Sequence, residues 1–198
     1  MADPIEDQTF HNEDWYAEEL FDRAYTRCRF LDVDLTEAVS RGSVFTDCVF
    51  GNVRLNASRH TDSAFLRCSF TRCNLFEAEF AGCKLTGSTF TDCALRPLTV
   101  TGGDWSFVTL TGADLRGVTL RGVRMREVDL SGADCAGATL ADLDLSGAHL
   151  GKATLTGCDL RGSDLTALDP TGVALAGARI NPEQAIVVAQ ALGFEVVP

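Results

Sequence analysis

The sequence predicts an all-β solenoid, and three observations carry that prediction. Between residues 108 and 165 the chain falls into blocks of five, reading TGADL, RGVTL, RGVRM, REVDL, SGADC and onward in one register. A large apolar residue returns at every fifth position (Leu110, Leu115, Leu120, Met125, Leu130), and two residues before it sits a small one such as Ala113, Val118 or Ala133. A period of five matches neither the 3.6 of a helix nor the 2 of a strand, so it marks a repeat of short sides. The other three positions of each block are mostly Asp, Thr, Ser, Arg and Gly. Two slots per side therefore point inward and three outward.

Three segments follow from the frame. In residues 1–24 large residues keep the register at Phe10, Trp15 and Leu20, but the small slots hold Gln8, Glu13 and Glu18, which are costly to bury. This stretch is expected to be an acidic N-terminal arm or cap and not regular solenoid. From 25 to 180 the frame holds without a slip, through Tyr25, Phe30, Leu35, Phe45 and Phe50 to Ile180. Ser40 and His60 occupy large apolar slots there; a hydrogen bond between them would satisfy both, and no acid in an inward slot completes a nucleophilic triad. Pro97 removes a backbone donor and is expected to bend its coil.

Residues 181–198 change period and read as a C-terminal helix and tail. Asn181 is a good N-cap, Pro182 fits the first helical position, Gln184 completes a capping box, and Gly193 is a natural stop. Ala185, Val188 and Leu192 are expected to close the end of the solenoid, which would otherwise be an open edge. That leaves Ile186, Val187, Ala189, Gln190 and Phe194 as a face that needs a partner, and a two-fold dimer is the expected one.

Composition narrows the chemistry. Seven of the eight cysteines (Cys28, Cys48, Cys68, Cys73, Cys83, Cys93, Cys158) sit in the small slot and Cys135 in the large one. That placement reads as small buried hydrophobes, with no disulfide framework and no zinc site. His11, His60 and His149 are far apart, and the glycines recur at a turn slot without forming a phosphate loop. No catalytic constellation, metal site or cofactor site is expected. No stretch approaches the roughly 18 apolar residues of a membrane span, and the start MADPIEDQTF lacks the basic and apolar regions of a signal peptide. A cytoplasmic location is expected.

The blocks ADLRG at 113–117 and SDLTA at 163–167 match the motif A(D/N)LXX, and by more than 30 successive blocks the chain resembles the pentapeptide-repeat family. That resemblance implies a right-handed quadrilateral parallel β-helix with 20 residues per coil, its coils about 4.8 Å apart. Columns then read by adding 20: Phe30, Phe50, Phe70, Phe90, Leu110, Leu130 and Leu150 form one apolar ladder.

Charge is unevenly spread. The chain carries 28 Asp and Glu against 17 Lys and Arg, a net −11, which argues against binding a nucleic-acid backbone. Residues 1–25 hold 8 acids and 1 base, 26–126 hold 10 and 13, and 127–198 hold 10 and 3. The last segment places Glu127, Asp129, Asp134, Asp142, Asp144, Asp159, Asp164 and Asp169 in outward slots. Roughly eight coils span about 40 Å, so a dimer would span about 80 Å. Two chains at −11 then carry about one charge per 3.6 Å, less than half the density of duplex DNA at about one per 1.7 Å. Any imitation of DNA has to be concentrated on particular faces.

The stretches RHTDSAF, CALRPLTV and GARINPEQAIVVAQALG resemble, more narrowly, the fluoroquinolone-resistance branch of that family. This implies a homodimeric rod, joined through the C-terminal helix, whose acidic surface imitates B-form DNA. Such a rod binds DNA gyrase, inhibits or modulates it, and protects it from fluoroquinolones, with no cofactor, no direct nucleic-acid binding and no membrane. The alternative is a structural or adaptor protein that meets another partner through Arg116, Arg121, Arg124 and Arg126.

Overall fold

The computed structural model describes residues 4–197 as a parallel β-helix closed by one helix. Each side of the square is a strand or bridge of a few residues, and a paired residue meets the one 20 positions on, as Tyr25 with Phe45 and Phe45 with Phe65. Three sides carry ladders of short strands. The first runs through Tyr25, Phe45 and Phe65, the second through Phe30, Phe50, Phe70 and Phe90, and the fourth through Ser40, His60, Phe80, Val100, Leu120 and Leu140. The third side is held by single bridges such as Asp34 to Arg54 and Arg54 to Asn74. At the corners the chain takes a left-handed residue, for example Asp47 (φ 54) or Gly122 (φ 61).

The inward slots form one core. Phe30, Phe50, Phe70 and Phe90 stack ring on ring at 4.6 to 4.8 Å, and Tyr25, Phe45 and Phe65 do the same on the next side at 4.7 to 4.9 Å. The cysteines are free thiols. Cys48, Cys68 and Cys83 point their Sγ at backbone carbonyls one coil below, and burial pushes the Cys135 and Cys158 thiols up to about 12.

The N-terminal stretch corrects the expectation of an arm outside the regular solenoid. Ile5–Glu6 (β1), Thr9–His11 (β2) and Glu19–Phe21 (β3) are a full coil in register with Tyr25, Phe30 and Ser40. Gln8, Glu13 and Glu18 stay exposed there, because the small slots of a terminal coil face the open end and not a neighbouring coil. Residues 1–3 of the expected arm lie outside the described residues.

The ladder opens beside Pro97. The third side is bridged from Asn74 to Ala94 and again from Asp114 to Asp134, but not from Ala94 to Asp114. A cleft of about 450 Å3 lies between the coils there, lined by Phe90, Cys93, Leu95 and Ala113. Arg96 bridges it to Asp114 at 3.0 Å. Pro97 offers no N–H to the next coil, which accounts for part of the break.

At the other end the helix Pro182–Ala191 (α1) caps the last coil. Asn181 Oδ1 accepts from Gln184 N at 2.9 Å and Gln184 Oε1 accepts from Asn181 N at 2.8 Å, the capping box expected from sequence.

Candidate functional site

The eight acids of the C-terminal segment ring the rod. Asp144 and Asp164 lie on the first side, Asp129 and Asp169 on the second, Asp134 on the third and Asp159 on the fourth; Glu127 and Asp142 stand at corners. Ion pairs then sort them. Asp134 faces Arg116 at 3.6 Å and Asp144 holds Arg126 at 2.6 Å. Asp159, although in an outward slot, is covered by Arg161 at 2.7 Å and Arg179 at 3.3 Å, with 4% of its side chain exposed. Its hydrogen bonds from Arg161 hold its carboxyl down to about 2.

Five acids have no cationic partner among the described residues: Glu127, Asp129, Asp142, Asp164 and Asp169. Partial burial raises the carboxyl of Asp129, but hydrogen bonds from Thr111 and Ser131 outweigh that and leave it below the usual carboxylate range. The Thr171 hydroxyl and N–H lower Asp169 in the same way. Three of the five sit on the first and second sides, Glu127 marks the corner between those sides, and Asp142 the corner at the far edge of the first. The unpaired charge is therefore gathered on two adjacent sides.

The middle segment behaves differently. Arg116 is held by Asp114 at 2.7 Å, Arg124 by Asp104 at 3.2 Å and Arg126 by Asp144, so Arg121 is the member of that basic group without an ion pair among the described residues. Asp7 with Arg27 and Asp47 with Arg67 form an alternating corner ladder at 2.7 Å each. Its charges are spent on one another.

The face expected to close the solenoid is corrected by the structure. Gln184 is buried, its Nε2 donating to Leu160 O at 2.6 Å and Ser163 O at 2.7 Å, and Val187 and Val188 pack beside it on the core. Ala185 and Leu192 are exposed. The two amide bonds fix the roll of the helix and bring residues three and four positions on against the coil. Of the residues expected to meet a partner, Ile186, Gln190 and Phe194 are exposed, whereas Val187 and Ala189 are half-buried. Leu192 and Phe194, at 49% and 67% exposure, extend the free apolar face.

His60 is satisfied inside the coil. Its Nδ1 lies 2.7 Å from Ser40 Oγ and its Nε2 3.0 Å from Ser58 Oγ, while Ser40 donates to Ser63 Oγ at 2.9 Å. Burial takes its pKa down to about 3, so the ring is neutral. Ser58 and Ser63 were missed in the sequence, although both occupy small slots two residues before His60 and Phe65. Among the described residues no group of three His, Cys, Asp or Glu is placed to hold a metal ion, and no helix is long and apolar enough to cross a membrane.

Comparison with known proteins places these features. Residues 73–150 match the pentapeptide repeat region. The pentapeptide repeat protein MfpA of Mycobacterium tuberculosis is 38% identical over 60 residues, which is 30% of this chain and 33% of that protein, so the match spans about a third of the relative's length. A trypsin-treated form of QnrB1, a plasmid-mediated fluoroquinolone resistance protein, superposes with a TM-score of 0.74 at 24% identity over 98% of this chain and 99% of that one. A second such form gives 0.70 at 20% identity over 98% and 100%. These structures share the fold.

Proposed function

We propose that this chain, which carries a pentapeptide repeat region and resembles MfpA, binds DNA gyrase as an imitation of the DNA duplex and protects the enzyme from fluoroquinolones. The observation that carries the proposal is the pairing pattern of the charges. Residues 26–126 hold 10 acids against 13 bases, whereas residues 127–198 hold 10 against 3, and five of those acids stand without an ion pair among the described residues on or at the corners of two adjacent sides. A surface built to meet a DNA-binding cleft needs negative charge that is not already neutralised, in a zone as long as the cleft. The resemblance to MfpA and the fold shared with QnrB1 supply the choice of partner.

In this reading two chains join through the exposed face of α1, with Ile186, Leu192 and Phe194 as the apolar contacts and Gln190 beside them. The junction would set the two acidic zones end to end at the centre of a longer rod. The gyrase surface that holds DNA is basic, so the rod and the duplex compete for it. Displacing DNA also removes the cleavage complex on which a fluoroquinolone acts, which links inhibition to protection.

The test is a supercoiling assay on purified gyrase, with and without a fluoroquinolone. The protein should inhibit supercoiling and reduce drug-induced cleavage, and both effects should weaken when Glu127, Asp142 and Asp164 are replaced together by Gln and Asn. Unaltered supercoiling and cleavage at any protein concentration would remove gyrase as the partner. Ile186→Asp addresses assembly separately: light scattering should report half the mass of the wild type. That variant is preferable to one at Val187, whose side chain also packs on the core.

A further inference from the structure

The two ends of the rod are finished differently. At the C-terminal end α1 covers the last coil, but β1, β2 and β3 are each the outermost strand of a sheet. In the second coil, Arg29, Asp34 and Val39 donate their N–H groups back to the first coil, and the carbonyls of Thr26, Leu31 and Arg41 accept from it. The equivalent groups of the first coil, the N–H of Thr9, Asp14 and Glu19 and the carbonyls of Glu6, His11 and Phe21, have no backbone partner among the described residues. They form an open strand edge.

A pit of about 420 Å3 opens inside that edge, with Ile5, Phe10, Trp15, Leu20 and Tyr25 as its apolar floor and walls and Asp14, Glu18 and Arg23 at its rim. Phe10 and Trp15 meet edge to face at 4.9 Å and are half-buried, and Trp15 Nε1 donates to Glu13 at 2.8 Å. Acids crowd this end. Glu6 and Asp7 are taken up by Arg27, whereas Glu18, Glu19 and Asp22, which flank or lie in β3, have no ion-pair partner among the described residues. Arg23 is the one basic side chain of the coil.

We propose that this end is a docking surface for an extended basic segment of a partner protein. The segment adds a strand to the open edge of β3, places one apolar side chain in the aromatic pit, and sets its Lys or Arg side chains against Glu18, Glu19 and Asp22. Strand addition supplies partners for the edge N–H and C=O groups, the pit supplies side-chain selection, and the acids supply the charge preference. A second copy meeting end to end would bring the same acids face to face, so charge selects against it. The surface lies at the opposite end from α1, and the proposal does not depend on gyrase being the partner of the C-terminal acids.

Trp15 makes the test direct, because the second tryptophan, Trp105, is 1% exposed and out of reach of a ligand at this end. The full chain is titrated with an acetylated, amidated peptide of alternating Val and Arg, and with the corresponding Val and Glu peptide. The basic peptide should change the Trp15 fluorescence saturably, and high salt should weaken its binding by about tenfold or more. Glu18→Lys combined with Glu19→Lys should do the same, and circular dichroism would show that this variant keeps the wild-type fold, since both side chains are exposed. Trp15→Phe should silence the signal while calorimetry still records binding. An unchanged signal, an equal response to the acidic peptide, or wild-type affinity in the doubly reversed variant would each overturn the proposal.

Discussion

One frame of five residues builds two halves with different interiors and different surfaces. Up to Trp105 the large slots are mostly aromatic, stacked in columns such as Phe30, Phe50, Phe70 and Phe90, and most of the strands lie in this part. Beyond it the large slots are mostly Leu, the small slots are often Ala, and the ladder is carried largely by single bridges. The corners differ as well. In the first half they are often charged or amide residues in the left-handed region, such as Asp7, Arg27, Asp47, Asn52 and Arg67, whereas in the second half they are mostly Gly. The backbone pairing at intervals of 20 is common to both, so it is the pairing and not the core chemistry that sets the fold. What the difference in surface does is decide which charges remain available. Cross-coil corner pairs, Asp7 with Arg27 and Asp47 with Arg67, neutralise charge in the first half, and the glycine corners of the second offer no side chain for such a pair.

The largest test of this comparison is in the core. Phe50 is 1% exposed between Phe30 and Phe70, and Leu130 is 2% exposed in the same column further on. Phe50→Ala is expected to cost about 3–5 kcal/mol and Leu130→Ala less than that within the range of about 2–5 kcal/mol, read from the midpoint of urea unfolding by circular dichroism. The gap reflects both ring area and stacking geometry. Equal losses would mean that the stacks contribute no more than the leucine ladder and that the halves differ only in appearance.

The frame itself was readable because both inward slots repeat in every block, and the terminal helix was readable because its cap residues have one use each. Three features were not. Gln8, Glu13 and Glu18 argued against a coil, since the slot rule holds only where a further coil lies against the slot. The packing face of α1 was misjudged because its anchor, Gln184, is polar and acts through two backbone carbonyls 21 and 24 residues away. Which acids are free was hidden because pairing joins neighbouring coils, as Arg126 to Asp144 across 18 residues, or residues two apart across a block boundary, as Arg161 to Asp159. Side-chain direction decides those pairs, and block spacing does not record it.

His60 offers a second, smaller test, placed within the aromatic half. Its ordinary pKa is near 6.5 and burial takes it to about 3 in the folded chain. Protonation therefore favours the unfolded state: the contribution of the neutral ring is complete above pH 6.5, shrinks as pH falls below it, and is gone near pH 3. The expected slope is about 1.4 kcal/mol per pH unit, so unfolding at pH 5.5 should be easier than at pH 7 by about 1 kcal/mol. The depressed carboxyls of Asp114 and Asp159, at about 2, act only below pH 4 and leave this window clear. His60→Phe, which keeps a ring against Phe80, should flatten the profile between pH 7 and 5. A variant with the wild-type slope would place the pH dependence elsewhere and leave the Ser40, Ser58 and Ser63 cluster as packing alone.

The smallest expected effect is at the corners, where the two halves can be exchanged. Ala57 sits in the first half at φ 53, and Gly137 in the second at φ 66 with no atom within 4 Å of an added Cβ. A left-handed L-residue costs about 1–2 kcal/mol in the folded chain. Glycine avoids that cost but loses more freedom on folding, by roughly 0.5–1 kcal/mol. Gly137→Ala should then destabilise by about 1 kcal/mol or less, and Ala57→Gly should stabilise by a few tenths, both read as shifts in thermal midpoint. If the two substitutions instead change stability in the same direction, corner strain is not interchangeable between the halves. The aromatic half would then impose its corner geometry through the width of its core, and glycine would be required only where leucine and alanine leave the coil narrower.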